Sequence, residues 1–268
     1  MLRFSGRGVS DVGLVRPHNE DAGFVGPYVA LVADGVGGAA AGEIASATAA
    51  YAVAATCLAA GADEPAEQVI TRAVDAAVAN IRRGVQADLN RLGMATTLSV
   101  LVCDGARVVL GHVGDSRAYH LTAGGLLQIS RDHTYVQHLV ESGQLAPEAV
   151  RRHPWRNIVL RSLDGDPEGQ GVDLVPVPVS VGDRLLLCSD GLTDLVPDAE
   201  IADILGRHDP HSAAAVLTQA ALTAGGRDNI TCLVLDVVDG PRVVGDGQLL
   251  GALADIANIV DPTAVRQS

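Results

Sequence analysis

Thr97-Leu98-Ser99-Val100-Leu101-Val102-Cys103-Asp104-Gly105-Ala106-Arg107-Val108-Val109-Leu110-Gly111-His112-Val113 reads as two β-type runs, 97–102 and 107–113, joined at Asp104-Gly105. An Asp-Gly step between β-branched runs is the strongest short-range hairpin signal in the chain. A second hairpin is expected immediately after it, from 118–121 and 126–129, turned at residues 122–125. Working outward, further β-type runs occupy 5–13 and 24–33 on one side, and 172–177, 183–188 and 230–237 on the other. Helices are expected at 43–60 and 65–92. In the second of these Val69, Ala73, Ala76, Ala77 and Ile81 fall near helical spacing and make one apolar face. Two more helices are expected at 198–205 and 212–223, and a weak one at 248–259. Antiparallel hairpins with segregated helices imply an α+β fold, not an alternating βαβ sheet.

Five acidic motifs punctuate these runs: Arg16-x-x-Asn19-Glu20-Asp21, Val32-Ala33-Asp34-Gly35-Val36-Gly37-Gly38, Gly114-Asp115-Ser116-Arg117, Ser189-Asp190-Gly191 and Gly226-Arg227-Asp228-Asn229. In each, a carboxylate sits beside glycine or at the end of an apolar run, where a strand ends and side chains can converge. One Asp-Gly is a turn; five such sites point to an oxygen-ligated place for a hard cation, Mg²⁺ or Mn²⁺. Gly37 and Gly38 read as backbone glycines that allow a sharp turn after the strand.

The ordered set resembles the metal-dependent serine/threonine protein phosphatases, the protein phosphatase type 2C or PPM family, in its bacterial form. Ser10 to Asp21 looks like the opening motif of that family, and Asp34 to Gly38 with Gly42-Glu43 looks like its DGxGG…GE segment. Thr96-Thr97-Leu98, Gly114 to Tyr119, Arg131-Asp132-His133, His153-Pro154, Arg156-Asn157, Cys188 to Leu192 and Gly225 to Thr231 follow in family order. The resemblance implies two antiparallel sheets packed as a central sandwich with helices outside, and a catalytic domain over 1–239. A flap insert would lie at about 132–180, and 240–268 would form a C-terminal tail.

It also implies a chemistry: hydrolysis of phosphoserine and phosphothreonine on proteins, by a water bridging two metal ions and attacking phosphorus in line, with no covalent phosphoenzyme. Asp34 would bridge the ions, the Gly35 carbonyl would bind the second, and Asp190 and Asp228 would complete the first. Glu20 and Asp21 would act through bound water. Asp115 and Asp190 match a third metal site, to which Asn157 of the flap is a candidate contributor. Arg16 would grip the phosphoryl oxygens, its planar fork suiting two of them. Val36 stands where relatives carry His or Met, Ala39 where many bacterial members have His, and Ala95 where a strand glycine is usual. Without a histidine at position 36, the leaving-group proton is expected from water or from a flap histidine, His153 before His133.

Composition narrows the setting. A formal charge of −13 argues against nucleic acid, which demands clustered cations. Four cysteines without C-x-x-C spacing read as buried free thiols suited to a reducing compartment. Residues 1–9 contain no apolar signal core, and the alanine-rich stretch 44–62 reads as a buried helix rather than a membrane span. The expectation is a soluble, cytoplasmic monomer acting on phosphorylated proteins: the substrates of a serine/threonine kinase, or the kinase itself. A pseudophosphatase that binds without turnover, a partner-switching regulatory phosphatase and a two-metal nuclease are the alternatives. Intact acidic motifs, the lack of a fused sensor domain and the negative charge weigh against each in turn.

Overall fold

The alternation of apolar side chains sets the layers, because successive residues of a strand face opposite sides. The computed structural model describes residues 1–36, 41–61, 64–169, 171–245 and 247–261. Gly37, Gly38 and Ala39 therefore lie outside the described residues. One sheet runs in the order β1 (Leu2–Asp11), β11 (Ile230–Asp239), β10 (Arg184–Cys188), β7 (Arg117–Thr122), β8 (Gly125–Gln128). The other runs β12 (Gln248–Gly251), β2 (Asp21–Val25), β3 (Val29–Val36), β5 (Leu98–Cys103), β6 (Val108–Val113), β9 (Asp173–Val177), with the two-residue β4 (Ala95–Thr96) pairing β3. Every one of these pairings is antiparallel.

Three apolar layers follow. Phe4, Leu185, Leu187, Leu233 and Leu235 of the first sheet meet Ala30, Val32, Leu101 and Leu110 of the second in the central core. Leu31, Ala33, Leu98 and Val100 face the other way, onto α1 (Gly42–Ala59) and α2 (Ala66–Ala87). Leu186, Cys188, Cys232 and Val234 face α4 (Asp190–Thr193), α5 (Asp198–Arg207) and α6 (Pro210–Thr223). The architecture is the αββα sandwich expected. By length and composition α1 is apolar enough to cross a membrane, but its alanines are packed against α2 and β3 inside the fold.

Local sequence misled in three places. The run 24–33 is not one strand: β2 and β3 are separated by a turn closed by Gly26 N–H donating to the Val29 carbonyl at 2.8 Å. The second helix stops at Ala87, and a 3₁₀ turn follows, in which the Asp88 carboxylate accepts from Asn90 N–H at 3.0 Å. The expected helix at 248–259 is instead β12 followed by two 3₁₀ turns. Strand β2 would otherwise expose an edge, and pairing with β12 closes it while burying Leu250, Ala252 and Leu253. Residues 248–253 thus pack as part of the sandwich. Likewise β9, within the segment expected as the flap, belongs to the sheet; the rest of that segment carries α3 (Tyr135–Glu141) and a 3₁₀ turn (Pro147–Arg152). Thr134 caps α3 by accepting from Gln137 N–H at 3.2 Å.

Candidate metal and phosphate site

Strand ends on one rim of the sandwich carry the acidic side chains. Asp34, near the end of β3, stands opposite Asp21 at the start of β2. Its backbone is locked: Asp34 N–H donates to Thr97 Oγ1 at 2.9 Å, and its carbonyl accepts from Thr96 Oγ1 at 2.9 Å and Thr97 N–H at 2.8 Å. Gly35 N–H donates to the Glu20 carbonyl at 3.1 Å. The glycines after the acids answer to crowding. A Cβ on Gly35 would lie 2.4 Å from the Gly42 carbonyl oxygen at the start of α1, and one on Gly191 would lie 1.9 Å from that of Asn229.

Electrostatics show the convergence. Asp34 is held well above the usual carboxylate range, first by burial, then by the charges of Asp21, Asp190, Asp115 and Asp228. Asp190, opening α4 after β10, is likewise raised well above it by burial and by Asp115, Asp194, Asp228 and Asp21. Asp115 is pushed up to about 7 and Asp21 to about 6, each mainly by burial. Glu20 is raised by burial and by Glu43.

Asp21 is fully buried; its Oδ2 accepts from Ser189 Oγ at 2.7 Å, while Oδ1 has no partner among the described residues. Buried carboxylates that raise one another's pKa make a candidate cation site. Among the described residues, however, no three acidic, histidine or cysteine side chains are close enough to hold an ion by themselves. The geometry suits hard ions that keep several waters and use a backbone carbonyl such as that of Gly35.

Arg16 rises from the loop between β1 and β2, half-exposed, and its Nη2 donates to Asp228 Oδ2 at 2.7 Å. That bond raises the guanidinium pKa further and fixes its direction. Asn229, which carried no assignment from sequence, anchors the loop: its Nδ2 donates to the carbonyls of Val12 at 3.0 Å and His18 at 2.9 Å, and its Oδ1 accepts from Glu20 N–H at 2.8 Å. Ser189, Thr97 and Ser116 were also missed. Thr97 Oγ1 and Ser116 Oγ lie 2.9 Å apart. Their only signal was adjacency to Asp190, Leu98 and Asp115 in the motifs.

The two histidines expected as proton donors, His133 and His153, separate. His133 is buried; its Nδ1 accepts from Gly114 N–H at 3.0 Å, and its Nε2 lies 2.9 Å from Asp173 Oδ2 and 2.8 Å from Arg161 Nη1. It holds the Gly114-Asp115 turn, and both of its ring nitrogens are already engaged. His153 Nδ1 accepts from Trp155 N–H at 3.2 Å, and its ring packs edge-on against Trp155. No hydrogen bond or ion pair among the described residues joins His153 or Asn157 to the acidic cluster. Val36 ends β3 and pairs with Ala95.

Known proteins resemble this chain in sequence and in fold. The profile described as protein phosphatase 2C matches residues 18–223. Serine/threonine protein phosphatase PstP of Mycobacterium tuberculosis is 41% identical over 243 residues, which is 89% of this chain and 46% of that protein. The chain thus spans about half the length of this relative. Serine/threonine phosphatase stp of Listeria welshimeri is 36% identical, over 85% of this chain and 93% of its own. The crystal structure of the PstP catalytic domain in complex with two manganese ions superposes with a TM-score of 0.79 at 38% identity, covering 89% of this chain and 100% of that one.

Proposed function

Because this chain belongs to the protein phosphatase 2C family, we propose that it hydrolyses phosphoserine and phosphothreonine monoesters on proteins with two divalent ions, Mn²⁺ or Mg²⁺. The observation that carries the reading is the convergence of Asp34, Asp21, Asp190, Asp115 and Asp228 beside one half-exposed arginine. Such a cluster repels itself unless cations stand among its members, and the arginine selects an anionic substrate.

Asp34 and the Gly35 carbonyl would hold the pair of ions, with Asp190 and Asp228 on the first and Glu20 and Asp21 acting through water. Asp115 and Asp190 would hold a third. Bound there, the ions supply an activated water and neutralise phosphoryl charge. Arg16 binds the phosphoryl oxygens, and Asp228 aims its guanidinium while leaving donors free for the substrate. With Val36 in β3 and both ring nitrogens of His133 engaged, His153, whose Nδ1 is held by Trp155 N–H, would offer Nε2 to protonate a departing alkoxide.

The substrates would be phosphorylated proteins, including those of a serine/threonine kinase or the kinase itself, met by a monomer in the cytoplasm. Free cysteines, three of them buried, suit that compartment. The decisive assay is turnover of a phosphothreonine peptide after chelation. Activity is expected to vanish, to return with Mn²⁺ or Mg²⁺, and to be lost in Asp34→Ala and Asp228→Ala while circular dichroism stays native. Full turnover by the metal-stripped protein would overturn the proposal.

A further inference from the structure

Helix α4 is only one turn long, and a single turn has no stability of its own. Its first residue is Asp190. Buried Leu192 and Val196 pin it from beneath, and Asp194 N–H donates to the Asp190 carbonyl at 2.8 Å. The far end is held by the flap. Arg151, in the 3₁₀ turn of the flap, donates Nη2 to the carbonyls of both Thr193 and Val196, each at 3.1 Å. Thr193 is the last residue of the helix, whose final carbonyls lack internal partners, and Val196 belongs to the turn that follows it. Five residues on, Arg156 Nε reaches Asp194 Oδ2 at 3.4 Å.

We propose that Arg151 is a positioning residue for the metal site: the flap caps the turn that presents Asp190, so flap placement and cation affinity are coupled. The inference rests on the assignment of Asp190 as a metal ligand and deepens it. Arg151 touches neither substrate nor ion. It restrains the carbonyl end of the turn, and the carboxylate at the other end inherits that restraint. By reciprocity, an ion that fixes Asp190 also favours the latched flap. Trp155 lies between the two arginines in the chain, packs against His153 and Tyr135, and is the single tryptophan of the protein. Its emission therefore reports the flap directly.

The test is a titration of the full chain with Mg²⁺, read by calorimetry and by Trp155 fluorescence, for wild type, Arg151→Met and Arg151→Lys. The expected result is a wild-type emission that shifts as Mg²⁺ binds. In Arg151→Met affinity should be about tenfold weaker, as for other groups that orient metal ligands, and the emission change should be diminished. Arg151→Lys, which keeps a donor cation, should recover part of both. The melting temperature of the metal-free variants separates positioning from general stability: a purely structural arginine lowers it and leaves Mg²⁺ affinity at 25 °C unchanged. Equal affinity in wild type and Arg151→Met, or a wild-type emission indifferent to bound Mg²⁺, would overturn the inference. Failure of the wild type to bind any Mg²⁺ or Mn²⁺ would instead overturn the metal assignment on which it rests.

Discussion

Asp21→Asn should make the metal-free protein more stable while weakening its response to metal. Asp21 is fully buried, accepts one hydrogen bond from Ser189, and has a second oxygen without a partner among the described residues. Burial, with Asp228 and Glu20 adding to it, pushes its carboxyl from the ordinary 3.8 up to about 6. The native value lies above that of the unfolded chain. Stability from this group is therefore complete below about pH 4 and is lost as pH rises through about 6. Near pH 7.5 the ionised side chain costs the metal-free protein about 3 kcal/mol. Asparagine cannot ionise and still accepts from Ser189. Its amide takes the place of the unpartnered oxygen, which returns about 1 kcal/mol of the gain. The net benefit is about 2 kcal/mol, or roughly 4–8 °C in melting temperature for a chain of this size. Scanning calorimetry of the chelated proteins measures it. The gain should be present near pH 7.5 and almost absent near pH 4.5, where native Asp21 is already protonated. With saturating Mn²⁺ the wild type should recover most or all of the deficit. An Asp21→Asn variant no more stable than wild type near pH 7.5, or equally stabilised at both pH values, would refute the reasoning.

Arg16→Ala should lower kcat/KM on a phosphothreonine peptide by roughly 10- to 1000-fold, the loss of a charge-assisted clamp; unchanged kinetics would make Arg16 a surface residue. His153→Gln should slow that peptide far more than p-nitrophenyl phosphate, whose leaving group needs no proton, whereas equal slowing of both would assign His153 to folding or metal binding. His112, buried between Ser99 and the Arg131 carbonyl, is held down at about 4 by burial and then by His133. Its native value lies below that of the unfolded chain, so it contributes about 3 kcal/mol at neutral pH that is lost between about pH 6.5 and pH 4. His112→Gln should flatten the denaturant-measured slope of stability against pH over that window, and an unaltered slope would show that His112 does not carry it.

Local sequence determined a good deal about this protein, because hairpins are decided by neighbours. The hairpin closes where Asp-Gly stands, over residues 104–107: Asp104 accepts from Ala106 N–H and Arg107 N–H, and Gly105 takes φ +91° as the first central residue of the turn. Strands β3 and β11 are apolar on both faces, as strands covered on both sides are, and the packing decided which face meets the central core and which the helices. The acidic motifs were legible because each borders a strand: Asp34, Asp115 and Asp190 at or just after its end, Asp21 and Asp228 at or just before its start. The helix expected at 248–259 failed because an apolar run of that length suits strand or helix alike, and the open edge of β2 decided the matter.

Only the tertiary structure brought β1 beside β11 and Arg16 within 2.7 Å of Asp228. Only it left one oxygen of Asp21 without a partner among the described residues and set Arg151 on the far end of the turn that begins at Asp190. These contacts join residues far apart in the chain. They exist because burying the faces of two sheets and pairing their edges brings distant loops to one rim, and no local pattern encodes which charge will stand beside which.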